Sequence, residues 1–280
     1  MSAAIRLVLV LLVSITGTIP TIGATQSTVV VIPMFDDPIS VSNIVTVAKS
    51  GGDFTDPIAA LASIDDNDIG NRYVVFIGPG VYELDQTLTM KPFVNIVGSG
   101  RLATTLRGTV WNASIPGSAT LIRGASFAVL ANLDIENKPP KGSENTGVSL
   151  GIYNTSVRPI LKNIGIIIGG AMMNYGIYNI ESRMRMKGSN ILVGSSGIDN
   201  AVNIGVLNTS LSDIEITDSS VEANFGNITT AIENNSSTIT IDDVNIRAMG
   251  GSVSNTAVRN SDGSAYISES RLLAEDSSQA

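Results

Sequence analysis

Three groups of residues have the types and spacing to do chemistry. The first is acidic. On the repeat set out below, Asp218, Asp243 and Glu269 share one turn column, with Asp242 beside them. Earlier coils carry Asn132, Asn163 and Gly188 at that place. Carboxylates one and two coils apart stand ~5 and ~10 Å apart. Those separations overlap the ranges of retaining and inverting glycosidases. Stacked oxygens also suit calcium. A solvated turn that uses Asp for its own backbone hydrogen bonds would give the same column without a site.

The second group is basic: Arg158, Lys162, Arg183, Arg185 and Lys187 on two adjacent coils. Arg158 stacks on Arg183, and Lys162 on Lys187. Guanidinium groups at this spacing suit bidentate binding of uronate carboxylates or phosphate. The next coil sets Asp213 beside Arg183 and Glu215 beside Arg185, so cross-coil ion pairing competes with that reading. The third group is aromatic. Tyr153 and Tyr178 face outward on consecutive coils, with Met172, Met173 and Tyr175 in the approach. They could offer a sugar a flat platform, unless the loop 137–145, with Pro139 and Pro140, folds over them.

Composition excludes much else. The 280 residues contain no His and no Cys. Disulfides, Ser-His-Asp triads, Cys-His pairs and His-ligated zinc are therefore impossible within the chain. Net charge is −8, from 25 acidic and 17 basic residues, which argues against nucleic-acid binding. A hydrophobic content of 43% argues against disorder.

Residues 1–24 read as a secretory signal: Arg6, an apolar run from Leu7 to Ile15, then small residues ending at Gly23-Ala24. The run is short for a membrane span, although an N-terminal anchor helix is the competing reading. Residues 25–44 form a linker. The expected location is outside the cell or on its surface, with no stable membrane span after cleavage.

A repeat positions the three groups. The pattern [Gly/Ala]-[Ile/Val]-x-Asn begins at Gly151, Gly176, Gly205, Ala231 and Ala257, at steps of 25, 29, 26 and 26 residues. Two apolar columns run in phase with it. One is Leu130, Leu161, Met186, Ile216, Ile241 and Ile267; the other is Ile135, Ile166, Ile191, Val221, Ile246 and Leu272. Each unit holds two or three strands of a few residues between Gly, Asn, Ser and Asp turns, with no room for a helix. Stacking such units pairs equivalent strands in parallel. The fold class is all-β, a single-stranded parallel β-helix of about seven coils over residues 94–280. The inward asparagines, Asn154, Asn179, Asn208, Asn234 and Asn260, are expected to form a structural ladder.

Residues 45–93 read as an N-terminal cap and first coil. A strand at Val45–Lys49 and a Ser50–Phe54 turn lead to Asp56, an N-cap, and a short capping helix from Pro57 to Ile64. A buried strand, Tyr73–Ile77, and a turn, Gly78–Tyr82, follow. The run Val47-Ala48-Lys49-Ser50-Gly51-Gly52-Asp53-Phe54-Thr55, a helix, then Tyr73-Val74-Val75-Phe76-Ile77-Gly78-Pro79-Gly80-Val81-Tyr82 resembles the cap of pectin methylesterases and related pectin-lyase-like proteins. The resemblance covers about residues 45–100. It implies a right-handed coil and a link to polysaccharides. The esterase catalytic segments are missing: Gln occurs only at 26, 86 and 279, and Trp111 lacks a preceding Arg-Pro. No catalytic residue carries over.

The expected function is a secreted or surface β-helix, carbohydrate-binding or structural, without catalysis. The alternative is a polysaccharide esterase, lyase or glycosidase working through carboxylates and Arg or Lys on a coil face. Substrate-binding candidates are Tyr153, Tyr178, Arg158, Arg183 and Arg185. Metal candidates are Asp218, Asp243 and Glu269, with calcium the only cofactor suggested. Polysaccharide is the expected partner, and the C-terminal coil, which shows no cap, could join a second copy.

Overall fold

Inward Ile, Leu and Val at every second strand position, with turn residues every few positions, leave the backbone one economical course. It winds, and each winding covers the apolar edge of the one before. The computed structural model shows this course and describes residues 43–113, 116–139, 146–194 and 200–276. These lie in one compact unit, Ser40–Ala280. The expected signal and most of the linker lie outside the described residues.

The chain forms a parallel β-solenoid of about eight turns with almost no helix. One more turn is present than the repeat alone suggested, because Asn43–Val47 and Tyr73–Ile77 join the same parallel ladder as Val94–Gly98. Each full turn has three faces. Face A includes Asn43–Val47, Tyr73–Ile77, Val94–Gly98, Arg185–Lys187 and Ser264–Ser268. Face B includes Gly80–Leu84, Thr104–Gly108, Asn190–Gly194 and Arg271–Glu275. Face C includes Val148–Thr155, Met173–Ile180 and Val202–Thr209. The expected short strands merge in places. Asp213–Asn235 and Thr238–Ser261 each run through all three faces. One pairing is antiparallel, Trp111–Asn112 against Val148–Ser149.

The register bears out both apolar columns. Leu130 pairs with Leu161, then Met186, Ile216, Ile241 and Ile267 in turn. Ile135 pairs with Ile166, then Ile191, Val221, Ile246 and Leu272 on face B, and the column extends back through Leu106 to Tyr82. Ile241 and Ile246 are fully buried, but Ile267 and Leu272 in the last turn are 41% and 44% exposed.

Corners are made by left-handed residues. Between faces A and B these are Asn132, Asn163, Gly188, Asp218, Asp243 and Glu269, with φ from 47° to 62°. Between faces C and A they include Ser156, Glu181, Ser236 and Asp262. Short polar side chains tolerate this conformation by bonding locally. Serines just beyond the corners tie coils together. Ser182 N donates to Ser212 Oγ, and Ser212 N to Ser237 Oγ.

The repeated Gly has a packing reason. A Cβ on Gly176 would lie 2.4 Å from the Gly205 carbonyl and 2.5 Å from Ile191 Cγ2. The position becomes Ala231 and Ala257 where the face B column shrinks from Ile168 and Val193 to Ala223 and Ala248. The methyl added at Ala231 and Ala257 offsets part of the side-chain volume lost across the core.

The cap matches its sequence signals. The helix spans Pro57–Ala62, and Asp56 accepts from the N–H groups of Ile58 and Ala59. Asp53 accepts from Thr46 N and Oγ1, which closes the Ser50–Phe54 turn. The segment read as a turn at Gly78–Tyr82 instead enters a strand at Gly80. Gly80, at φ 140°, makes the bend in one residue, so pairing with Thr104 starts at once.

Candidate functional site

Face A carries the basic group. Outward side chains of successive coils stand in register along the solenoid axis. Ile160 pairs with Arg185 and then Glu215, and Lys162 with Lys187. Arg158, Arg183 and Asp213 occupy the matching rung positions two residues earlier. A groove of about 390 Å³ opens here, walled by Arg158, Ile160, Arg183, Arg185, Asp213 and Glu215.

The expected ion pairing holds for part of the set. Arg185 Nε meets Glu215 Oε2 at 3.2 Å, and Lys187 Nζ meets Asp218 Oδ2 at 3.2 Å. Arg158 and Arg183 are exposed, and their guanidinium groups meet no carboxylate among the described residues. Asp213 forms no ion pair with its neighbour Arg183. The groove therefore has a cationic end, at Arg158 and Arg183, and a neutralised end at Arg185 and Glu215.

The tyrosines lie on face C, away from this groove. Tyr153 and Tyr178 are in register and point outward, as expected. Their rings spend much of their area on neighbours. Tyr153 meets Tyr178 edge-on at 5.7 Å, Tyr175 stacks on Tyr178 at 5.7 Å, and Arg123 sits 5.6 Å from the Tyr153 ring. Gly117 packs against the Tyr153 ring as well. All three rings are half-buried. Burial, then Tyr178 and Glu233, pushes the Tyr175 phenol up from 10.0. The part of the proline loop from 140 to 145 lies outside the described residues. The substrate-binding candidates thus separate into two places, arginines on face A and tyrosines on face C.

The acidic column is the corner between faces A and B. Asp218, Asp243 and Glu269 hold φ of 49°, 52° and 47°. Asp218 is engaged by Lys187. No group of three or more acidic side chains among the described residues is placed to hold a metal ion.

The asparagine ladder forms inside the solenoid. Asn154 Nδ2 donates to Asn179 Oδ1 at 2.7 Å, and Asn179 Nδ2 to Asn208 Oδ1 at 2.8 Å. Asn234 Nδ2 donates to Asn260 Oδ1 at 2.7 Å.

Two features escaped the sequence. One is a second asparagine column, two residues ahead of Gly176 and Gly205. Asn174 Nδ2 donates to Asn203 Oδ1 at 2.8 Å. The same 29-residue step was visible there, but Thr229 interrupts the residue type. The other is aromatic. Phe93 and Phe127 stack in parallel, centroids 5.2 Å apart, and Arg72 lies 5.2 Å from the Phe93 ring. Both phenylalanines are left-handed, at φ 60° and 58°. The register sets Phe127 directly above Arg158 on the same outward column, since Val129 pairs with Ile160.

No family model matches this chain, and no curated protein matches it. Solved structures do. A pectin methylesterase crystallised with a hexasaccharide aligns at a TM-score of 0.53 and 11% identity, over 86% of this chain and 91% of that one. Pectin methylesterase PemA from Erwinia chrysanthemi gives 0.51 and 11%, with the same coverage. The carrot pectin methylesterase gives 0.52 and 14%, over 87% and 86%. The fold shared with these structures is the right-handed parallel β-helix. Identities this low carry the β-helix alone, and the chemistry of the groove has to be argued from its own residues.

Proposed function

We propose that this β-helix is a secreted or surface protein that binds an acidic polysaccharide in the face A groove without cleaving it. The observation that carries the reading is the pair Arg158 and Arg183, exposed, without a carboxylate partner among the described residues and one rung apart on a groove wall. Unpaired guanidinium groups are the natural partners of uronate carboxylates. A hexasaccharide bound to a protein of the same fold supports a glycan as the ligand.

The groove's acids support binding over catalysis. Glu215 is held by Arg185 in the open, with its side chain 49% exposed. A general acid needs its proton stabilised by burial or by a second carboxylate. One observation favours the enzyme reading. Asp213 and Glu215 point the same way from one strand, roughly 7 Å apart, which falls in the inverting glycosidase range.

Calorimetric titration with acidic and neutral polysaccharides, paired with assays for new reducing ends, unsaturated products and released ester groups, tests both. The expected result is binding of acidic polymers that weakens with salt, with no product. Products lost in Glu215→Gln would establish the enzyme instead.

A further inference from the structure

The groove ends at Arg158, and the next rung up its outward column is Phe127. That ring is 55% exposed, and neither Phe127 nor Phe93 belongs to the hydrophobic core. A bulky side chain in the left-handed region costs about 1 kcal/mol or more. Here the cost is met at both corners for rings outside the core, as it is at the exposed Leu102, Leu211 and Phe225; what sets Phe93 and Phe127 apart is that they stack on each other. Asn132 and Asn163 show that this chain has the usual residue for such corners.

The stack has a direction. Arg72 covers the outer side of Phe93, and Phe93 covers one face of Phe127. The other face of Phe127 is turned along the axis toward the Arg158 rung. Arg158 does not sit on it, since the cations over rings among the described residues are Lys49, Arg72 and Arg123. The column therefore reads, rung by rung, aromatic at Phe127, cationic at Arg158 and Arg183, then anionic at Asp213. A rung rises ~4.8 Å, about the length of one sugar unit.

We propose that Phe127, braced by Phe93, is an aromatic subsite continuous with the groove, and that the ligand is a partly charged glycan lying parallel to the solenoid axis. Its uncharged unit stacks a C–H face on Phe127. Its next units place carboxylates on Arg158 and Arg183. Asp213 rejects a charge on the unit after those. This rests on the reading of the groove as a glycan site, and it adds the order of charged and uncharged units.

The test uses two uronic-acid oligosaccharides of equal length, one fully charged and one partly esterified, with polyglutamate as a polyanion lacking rings. Wild-type protein, Phe127→Asn and Asp213→Asn are titrated by calorimetry, after melting curves confirm that each folds. Asn is at home in this corner conformation. The wild type should bind the partly esterified chain more tightly than the other two. Phe127→Asn should weaken that binding about tenfold, the scale of one lost aromatic contact, and leave the fully charged chain unchanged. Asp213→Asn should improve only the fully charged chain. Equal binding of both oligosaccharides, unaffected by Phe127→Asn, overturns the aromatic subsite and leaves the groove standing. Binding of neither overturns the groove itself, and polyglutamate binding as well as either removes the glycan.

Discussion

Asn208 and Asn234 stand in register one coil apart, yet no hydrogen bond joins their side chains. Asn208 Nδ2 and Asn234 Oδ1 are both buried without a protein partner. Asn234 instead turns its amide to Ser237 O and Asn260 Oδ1. The ladder is therefore two ladders, Asn154–Asn179–Asn208 and Asn234–Asn260.

The division sets the cost of removing each asparagine. Asn179 both donates and accepts within the upper ladder. Asn179→Leu leaves Asn154 Nδ2 with only the Met184 sulfur at 3.8 Å and Asn208 Oδ1 with no partner among the described residues; at 1–3 kcal/mol for each buried group, a loss of roughly 3 kcal/mol is expected. Asn260 lies at the exposed end, and Asn260→Leu should cost about 1 kcal/mol. Urea melts of both variants give the comparison. Equal losses would mean that the side chains contribute by packing alone.

Gly176→Ala tests the link between the repeat and core volume. The added methyl meets a carbonyl at 2.4 Å and Ile191 at 2.5 Å. Overpacking of this kind costs typically 1–3 kcal/mol. Ala231→Gly, where the facing column is already small, should cost no more than about 1 kcal/mol. Thermal denaturation should rank the two variants in that order.

Acid should loosen the cap first. Hydrogen bonds from the Thr46 side chain and then its backbone N–H hold the Asp53 carboxyl below its usual 3.8. A depressed carboxylate contributes stability that is present above the unfolded pKa and is lost as pH falls through the folded one. Hydrogen exchange at Thr46 N should therefore rise below about pH 3.8. In Asp53→Asn the exchange should be fast already at neutral pH and show no acid step there.

Alkali should act on face C. Burial holds the Tyr175 phenol above 10.0, with Tyr178 and Glu233 adding to the shift. A raised pKa contributes stability below the unfolded value, and that stability is lost as pH rises through the folded one. Melting temperature should fall from pH 10 upward. Tyr175→Phe should flatten that fall, and an unchanged slope would place the alkaline sensitivity elsewhere.

Much of this was legible because a solenoid writes its tertiary contacts at fixed sequence steps. Residues that share a column, such as Leu161 and Met186, are also residues that touch. The basic group on face A followed from the same alignment. The Phe93–Phe127 stack did not, because its coil is 34 residues long and holds the irregular strands around Trp111. The repeated tetrapeptide begins only at Gly151, so nothing in the sequence aligns those two rings. Ring orientation on face C was hidden for another reason. Outward direction follows from alternation, but Tyr175 reaching Tyr178 depends on rotamers.

The acidic corner separates two roles that share the same residues. As a corner, Asp243 needs a short side chain at φ 52°. As a cation ligand, it needs its charge. Asp243→Asn keeps the first property and removes the second, whereas Asp243→Val removes both. The corner role predicts that Asp243→Asn changes stability by less than about 0.5 kcal/mol, and that Asp243→Val loses about 1–2 kcal/mol through a β-branched residue forced into the left-handed region. Calcium should leave the melting temperature of all three proteins where it was, because Asp218 is already engaged by Lys187 and the column's three acids are not gathered to hold an ion among the described residues. A calcium-dependent rise in the wild type that disappears in Asp243→Asn would show instead that the corner gathers its carboxylates around the ion. In that case Lys187→Gln, by freeing Asp218, should increase the rise.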